Sequence, residues 1–180
     1  MKRRLRYKPT IYVLFTFLFL ILTLILLTMP GCALISRNQV NIYLIQDEDA
    51  YKDEPNRMLM FSLEPTPIIS NSDIVTYDSE QHQIELKSSA FEKLKNIDVP
   101  VNGGRSFIVC VGIVRVYMGA FWSPLSSSSS EEVIIQQPLS DESNLITIQL
   151  GYPNESFFRE NDPRSDTRIT QALRNTGKLK

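Results

Sequence analysis

The run Phe107-Ile-Val-Cys-Val-Gly-Ile-Val-Arg-Val-Tyr-Met-Gly-Ala-Phe-Trp122 decides the fold. Its first part, Phe107 to Val111, is apolar without a break, the mark of a strand covered on both faces. Gly112 supplies a turn, and Val114 to Trp122 returns as the hairpin partner. Side chains alternate between the faces of a strand. Tyr117, Gly119 and Phe121 therefore share one face of the returning strand, and Met118, Ala120 and Trp122 share the other. One face must be core. If the other is exposed, Tyr117, Phe121 and Trp122, with Tyr152, Phe157 and Phe158 of the tail loop, offer an aromatic platform to a peptide, glycan or protein partner.

The flanking sequence extends this hairpin into a domain. Ile74, Val75 and Tyr77 begin a strand, Asp78 to His82 is a polar turn, and Gln83-Ile-Glu-Leu-Lys87 alternates as a half-buried strand does. Ser88 or Ser89 caps a helix running to about Asn96, with Glu92 placed for a capping box with Ser89. Ala90, Phe91, Leu94 and Ile97 have the spacing of its buried face. Asn102-Gly-Gly104 turns the chain into Phe107. After the loop of Pro124 and Ser126–Ser130, Val133–Gln136 and Leu145–Leu150 read as two more strands. Asp162-Pro-Arg-Ser-Asp166 opens a last helix with an apolar stripe at Ile169, Ala172 and Leu173 and a stop at Gly177. The expected class is α+β, a small, mainly antiparallel sheet with one packed helix and a C-terminal helix outside, over residues 67–180. Residues 33–66 read as a stalk with short strands at Gln39–Ile45 and Met58–Leu63.

Residues 1–32 have a different character. Ile11 to Met29 carries no charge, and Lys2, Arg3, Arg4, Arg6 and Lys8 precede it with no acid among them. A helix of that length is roughly 28 Å long, about the thickness of the hydrocarbon core of a bilayer. The basic head stays on the cytoplasmic side, which sends the rest of the chain outward. The expected location is membrane-anchored, on the extracytoplasmic side. The whole chain has net charge −1, with 19 Lys+Arg against 20 Asp+Glu. Without the five basic residues of the head, 14 cations face those 20 acids, a balance that excludes nucleic acid as a partner.

The chemical inventory is thin. Cys32 and Cys110 are the two cysteines, so no disulfide framework is expected, and Cys110 reads as a buried hydrophobe. His82, the one histidine, falls in the polar turn and reads as a solvated residue. No nucleophile elbow, zincin motif, zinc spacing or phosphate loop is present, so no catalytic residue, metal or cofactor is assigned. The acidic residues Asp47, Glu48, Asp49, Asp53 and Glu54 lack the glycine and closing glutamate of a calcium loop and read as a solvated loop. Asp162 and Asp166 read as capping groups at the start of the last helix.

Two resemblances add to this. Met29-Pro-Gly-Cys32 resembles the lipobox of bacterial lipoproteins, with Met29 where leucine is usual, and implies a lipidated Cys32. Three readings follow: the membrane is held through residues 11–29 as an uncleaved anchor, or through that lipid, as in the many small prokaryotic lipoproteins of similar layout, or the segment is an ordinary cleaved signal, for which it is longer than the usual apolar core of about 7–15 residues. Ser72-Asp-Ile74, Ile84-Glu-Leu86, Ala90, Phe91, Gly104-Arg105, Phe107-Ile-Val109, Val116-Tyr117 and Gly119-Ala120 resemble the extracytoplasmic head of the SecD/SecF translocase subunits over residues 70–122. That resemblance implies an α+β fold and an extracytoplasmic setting. It does not carry over transport, which in that family relies on further membrane spans. The leading expectation is a membrane-tethered binding or interaction module without catalytic activity, its partner an envelope protein, peptide or glycan. The alternatives are a cell-envelope hydrolase whose site is assembled only in the fold, and a structural lipoprotein.

Overall fold

The chain divides into two units, Met1–Ile35 and Ser36–Lys180. The computed structural model describes Phe19 and residues 38–48, 57–140 and 143–180. Cys32, residues 11–29 apart from Phe19, and residues 49–56 lie outside them. Among the described residues no helix is long and apolar enough to cross a membrane.

The second unit is built on one seven-stranded sheet. Its strands are β1 (Val40–Leu44), β2 (Ile74–Asp78), β3 (Gln83–Leu86), β4 (Arg105–Val111), β5 (Val114–Trp122), β6 (Ser130–Gln136) and β7 (Leu145–Tyr152), in the spatial order β1-β4-β5-β6-β7-β3-β2. The uninterrupted apolar strand lies inside the sheet as expected, with Phe107, Ile108, Val109 and Cys110 all buried. Pairing is antiparallel except between β5 and β6, which run parallel with Gly119 opposite Val133 and Trp122 opposite Gln136. The expected α+β class with a mainly antiparallel sheet therefore holds.

Both longer helices pack on one sheet face. Helix α2 (Ser88–Lys95) contributes Ala90, Phe91 and Leu94 to the main core, and α3 (Thr167–Asn175) contributes Ile169, Ala172 and Leu173. These are residues the helical spacing selects, except that Ile97, also selected, lies beyond the end of α2 and is half-buried against the same core. Each large side chain so buried contributes about 1.5–3 kcal/mol. The last helix is therefore part of the core rather than outside it. Asp166 caps α3 by accepting from the Arg168 N–H. The capping box expected at α2 does not form. Its N-cap is Lys87, without a side-chain bond, and the Ser88 hydroxyl instead accepts from the Asn144 amide at 3.1 Å. At the other end the Gln137 carboxamide donates to the carbonyls of Lys95 and Ile97 at 3.0 and 2.8 Å, serving carbonyls that the helix leaves unpaired.

Two expectations for residues 33–66 change. Val40–Leu44 belongs to the sheet, paired with β4 along its whole length, so it is not stalk. Met58–Met60, the first half of the expected strand Met58–Leu63, belongs with Arg57 to the short helix α1 (Arg57–Met60), and Leu63 bridges to Ile45. Short apolar runs do not by themselves distinguish strand from helix. This segment covers the second sheet face, where Phe61 and Met58 pack with Ile45, Ile108, Cys110 and Met118. The crossover from β5 to β6 covers the adjoining area, and Tyr152 Oη donates to the Ser126 carbonyl beneath it. Both sheet edges are also occupied. Residues 68–69 bond to Ile42, and Tyr77 N–H and carbonyl pair with Lys178 and Lys180. Edges covered in this way resist pairing with another chain's strand.

Candidate functional site

The aromatic residues singled out in the sequence do not form an exposed platform. Phe121 is fully buried with its ring tilted against that of Phe107 at 5.0 Å, Tyr117 lies in the same core, and Trp122 is buried on the second face against Ala120 and Ile134. The condition for the platform was an exposed strand face, and β5 is covered on both faces from Gly119 to Trp122. Tyr152 is half-buried, its ring 5.9 Å from that of Trp122, while Phe158 is half-buried and Phe157 exposed. The buried Trp122 Nε1 has no hydrogen-bond partner in the structure. An unpaired buried donor is costly, and exchanging it for carbon removes that penalty at the expense of some volume. Trp122→Phe is therefore expected to change stability by no more than about 1.5 kcal/mol, as read from urea midpoints. A loss of twice that size would mean the N–H is satisfied.

One open part of the sheet is its far corner. Thr76 and Asp78 of β2, Gln83 and Glu85 of β3, and Leu145 of β7 line a groove of about 440 Å3, closed at its rim by Gln81, Ser143, Asn144 and Lys180. The strand pattern produces it directly. Ile84, Leu86 and Ile146 turn into the core, so their neighbours Gln83, Glu85 and Leu145 face outward. Thr76 Oγ1 donates to Glu85 Oε2 at 3.1 Å. Asp78 accepts from the Glu80 and Gln81 N–H groups, both at 3.0 Å, and lies 3.8 Å from Lys180 Nζ. Carboxamides that both donate and accept, two hydroxyls, two carboxylates and an ammonium thus surround one apolar side chain.

Beside this groove sits a polar cluster that the sequence did not disclose. His82, expected to be solvated, has a side chain only 13% exposed and a backbone φ of +51°. Its Nδ1 lies 2.9 Å from Tyr77 Oη and its Nε2 4.0 Å from Asp162 Oδ2. Arg164 holds Asp162 through two side-chain bonds of 2.9 and 2.8 Å and donates to the Ile148 carbonyl at 2.8 Å. Asp162 is thus tied to β7 through Arg164 and is not a helix cap; that position belongs to Asp166. Burial pushes the Tyr77 hydroxyl up to about 12 and raises Tyr117 as well. The Arg164 side chain holds the Asp162 carboxyl below its ordinary value.

Burial, helped by the Arg164 cation, lowers the His82 pKa from 6.5 against the opposing pull of Asp162 and Asp78. The fold then keeps His82 neutral while the unfolded chain takes up a proton as pH falls through 6.5. That contribution is complete above 6.5 and disappears as pH drops through the lower folded value. The Asp162 contribution is lost further down, below its unfolded value of 3.8. Stability is expected to fall between pH 7 and pH 5, with His82 supplying no more than about 1.4 kcal/mol per pH unit, the limit for one proton. His82→Gln should flatten that slope in urea titrations. An unchanged slope would place the titrating group elsewhere.

Among the described residues no three His, Cys, Asp or Glu side chains come together to hold a metal ion. Glu48, from the acidic run, accepts from the Ser106 N–H at 2.8 Å and pairs with Arg105 at 3.4 Å. Cys110 is buried and free, its thiol pushed up by burial. Cys32 lies outside the described residues. No family model matches the chain, and neither the curated proteins nor the solved structures contain a match to it.

Proposed function

We propose that this chain is a membrane-tethered, extracytoplasmic binding module without catalytic activity, and that the groove over β2, β3 and β7 receives its ligand. The observation that carries this reading is the groove itself. It is a stretch of open sheet furnished with carboxamide, hydroxyl and carboxylate groups. Groups of that kind match the paired hydroxyls of a glycan or the backbone of an extended peptide. The tether rests on the uncharged segment 11–29 and its basic head, and Gly31-Cys32 supports a lipidated form. The hydrolase alternative needs two convergent carboxylates or a serine paired to a base; Asp78 and Glu85 both line the groove, but each is engaged within the fold, Asp78 with the Glu80 and Gln81 N–H groups and Lys180, and Glu85 with Thr76 Oγ1.

The full-length chain in detergent, presented with arrays of envelope glycans and extended peptides, tests the groove. Removing two hydrogen-bonding side chains together, in Gln83→Ala/Glu85→Ala, is expected to weaken binding about 10- to 30-fold, at about 1 kcal/mol for each lost bond. Wild-type binding by that variant, or turnover of a glycan or ester that His82→Gln abolishes, would overturn the reading. Mass spectrometry of the mature N-terminus separates the tethers, since a diacylated Cys32 marks a lipoprotein and an intact Met1 an anchor. Protease added to intact cells or spheroplasts should degrade the domain.

A further inference from the structure

Ile113 is out of place for a soluble turn. It is the second residue of the two-residue connection between β4 and β5, after Gly112 at φ +59°, and it is 95% exposed. Such connections favour glycine, asparagine and aspartate, and an isoleucine left in water there adds nothing to the core. The apolar surface continues around it. Val114 follows in the chain and is exposed, as are Leu59 and Met60 of α1. Helix α1 is tied to this end of the sheet because the Arg115 guanidinium, next to Val114, donates to the Met58 carbonyl.

The same end is where the chain enters the domain. The Gly112 N–H donates to the Gln39 carbonyl at 2.9 Å, and Val40 pairs with Val111. Between the apolar segment and this point lie residues 30–37, which span at most roughly 28 Å fully extended. A chain tethered at Cys32 reaches only about 20 Å to the same point. Either tether keeps the turn within reach of a headgroup layer. The hollow between this turn and α3 is lined by Asn38, Val111, Val114, Arg168, Gln171 and Asn175, with no carboxylate among its lining side chains. Its one charged group, Arg168, is a cation, although Asp166 pairs with it at 2.7 Å.

We infer that the β4–β5 turn and α1 form a lipid-contacting tip, with Ile113, Val114, Leu59 and Met60 entering the interface of the bilayer that holds the chain. The inference rests on the proposed tether and adds an orientation to it. Strand β5 runs from Val114 at the tip to Trp122, which is level with Gln136 of β6. The β6–β7 and β7–β3 registers carry Glu85 and Leu145 past that level, so the groove lies at the end of the sheet opposite the tip. A bilayer under the tip therefore leaves the groove facing away from the lipid. Exposed aliphatic side chains at interfacial depth match a lipid surface better than they match water, and the acids nearby, Asp166 and Glu132, are paired with Arg168 and Arg57.

The test uses the full chain with its sole tryptophan replaced, Trp122→Phe, and one new tryptophan at either end of β5. Ile113→Trp reports on the tip. Leu125→Trp, at a site 74% exposed just beyond Trp122, reports on the opposite end. Both positions are exposed, so neither ring displaces a core side chain. The proteins are reconstituted into phosphatidylcholine–phosphatidylglycerol vesicles with and without brominated acyl chains. Both variants are expected to float with the vesicles, and brominated lipid should quench Ile113→Trp at least about twofold more than Leu125→Trp, as insertion at interfacial depth requires. Floating proteins with equal quenching at the two positions would overturn the tip and leave the tether standing. Proteins that do not float would remove the tether, and the tip with it.

Discussion

A Gly119→Ala variant is expected to lose on the order of 3 kcal/mol of stability or to fail to fold. A Cβ at this position would lie 2.5 Å from the Val133 carbonyl oxygen and 2.6 Å from the Phe107 ring. The ring has little room to retreat, since Phe107 is fully buried and packs on Phe121 at 5.0 Å. The carbonyl is more constrained still, because Val133 faces Gly119 across the parallel β5–β6 pair and Leu150 across the next. To admit one methyl group, β6 must move away from β5, and β7, β3 and β2 hang on β6. Gly119 therefore stands at the seam joining the two halves of the sheet. Against a total stability of about 5–15 kcal/mol for an ordinary domain, such a loss is large. Urea unfolding followed by far-UV circular dichroism measures it. Phe107→Leu in the same chain should relieve the ring contact but not the carbonyl contact, so the double variant should recover only part of the loss. A midpoint like that of the wild type would mean that β5 and β6 can separate at little cost.

The parts of this fold visible in the sequence are those set by local periodicity. Helix faces at Ala90, Phe91 and Leu94 and at Ile169, Ala172 and Leu173, and the uncharged β4 run, follow from spacing alone. What escaped depends on non-local pairing. The parallel β5–β6 partnership follows a crossover of only Ser123–Ser129, too short for the helix that usually joins parallel strands, and nothing in its serines signals it. Arg57–Met60 is too short for its period to choose helix over strand. The aromatic residues of β5 were legible as core or surface only once the covering elements were placed. His82 was misread because its partner Asp162 lies 80 positions away in sequence and Arg164 reaches back to β7. A positive φ at a histidine is a structural signal that sequence alone does not carry. The groove was half visible: alternation in Gln83-Ile-Glu-Leu86 put polar groups on one face, but not that the face would stay open.

Arg164→Met is expected to cost about 2–4 kcal/mol, because it removes the charged partner of a mostly buried ion pair while keeping most of the side-chain stem. The Arg164 side chain is 14% exposed, and its stem lines an apolar hollow with Tyr77, Ile84, Tyr117 and Ile148. Methionine can fill much of that space, so the loss falls on polar groups. The Ile148 carbonyl loses a 2.8 Å bond, and the Asp162 carboxylate loses both side-chain bonds. About a third of Asp162 remains in contact with solvent, which keeps the figure below that of a fully buried charge. Removing the stranded carboxylate as well, in Arg164→Met/Asp162→Asn, should restore part of the loss, so the two effects should not add. Lysine at position 164 should rescue poorly, since a single ammonium cannot bridge Asp162 and the Ile148 carbonyl as the planar guanidinium does. The acid response distinguishes this network from simple packing. Arg164 is one of the two influences holding the His82 pKa down, and Asp162 pulls it up. Without the cation that pull is opposed by burial alone and the folded pKa rises. Once it exceeds the unfolded value, the His82 contribution is present below pH 6.5 and lost as pH climbs through the folded pKa. The slope of stability between pH 5 and pH 7 should therefore flatten or reverse in Arg164→Met. A variant equally destabilised at both pH values would show that Arg164 acts through packing alone, and the electrostatic account of the cluster would fall.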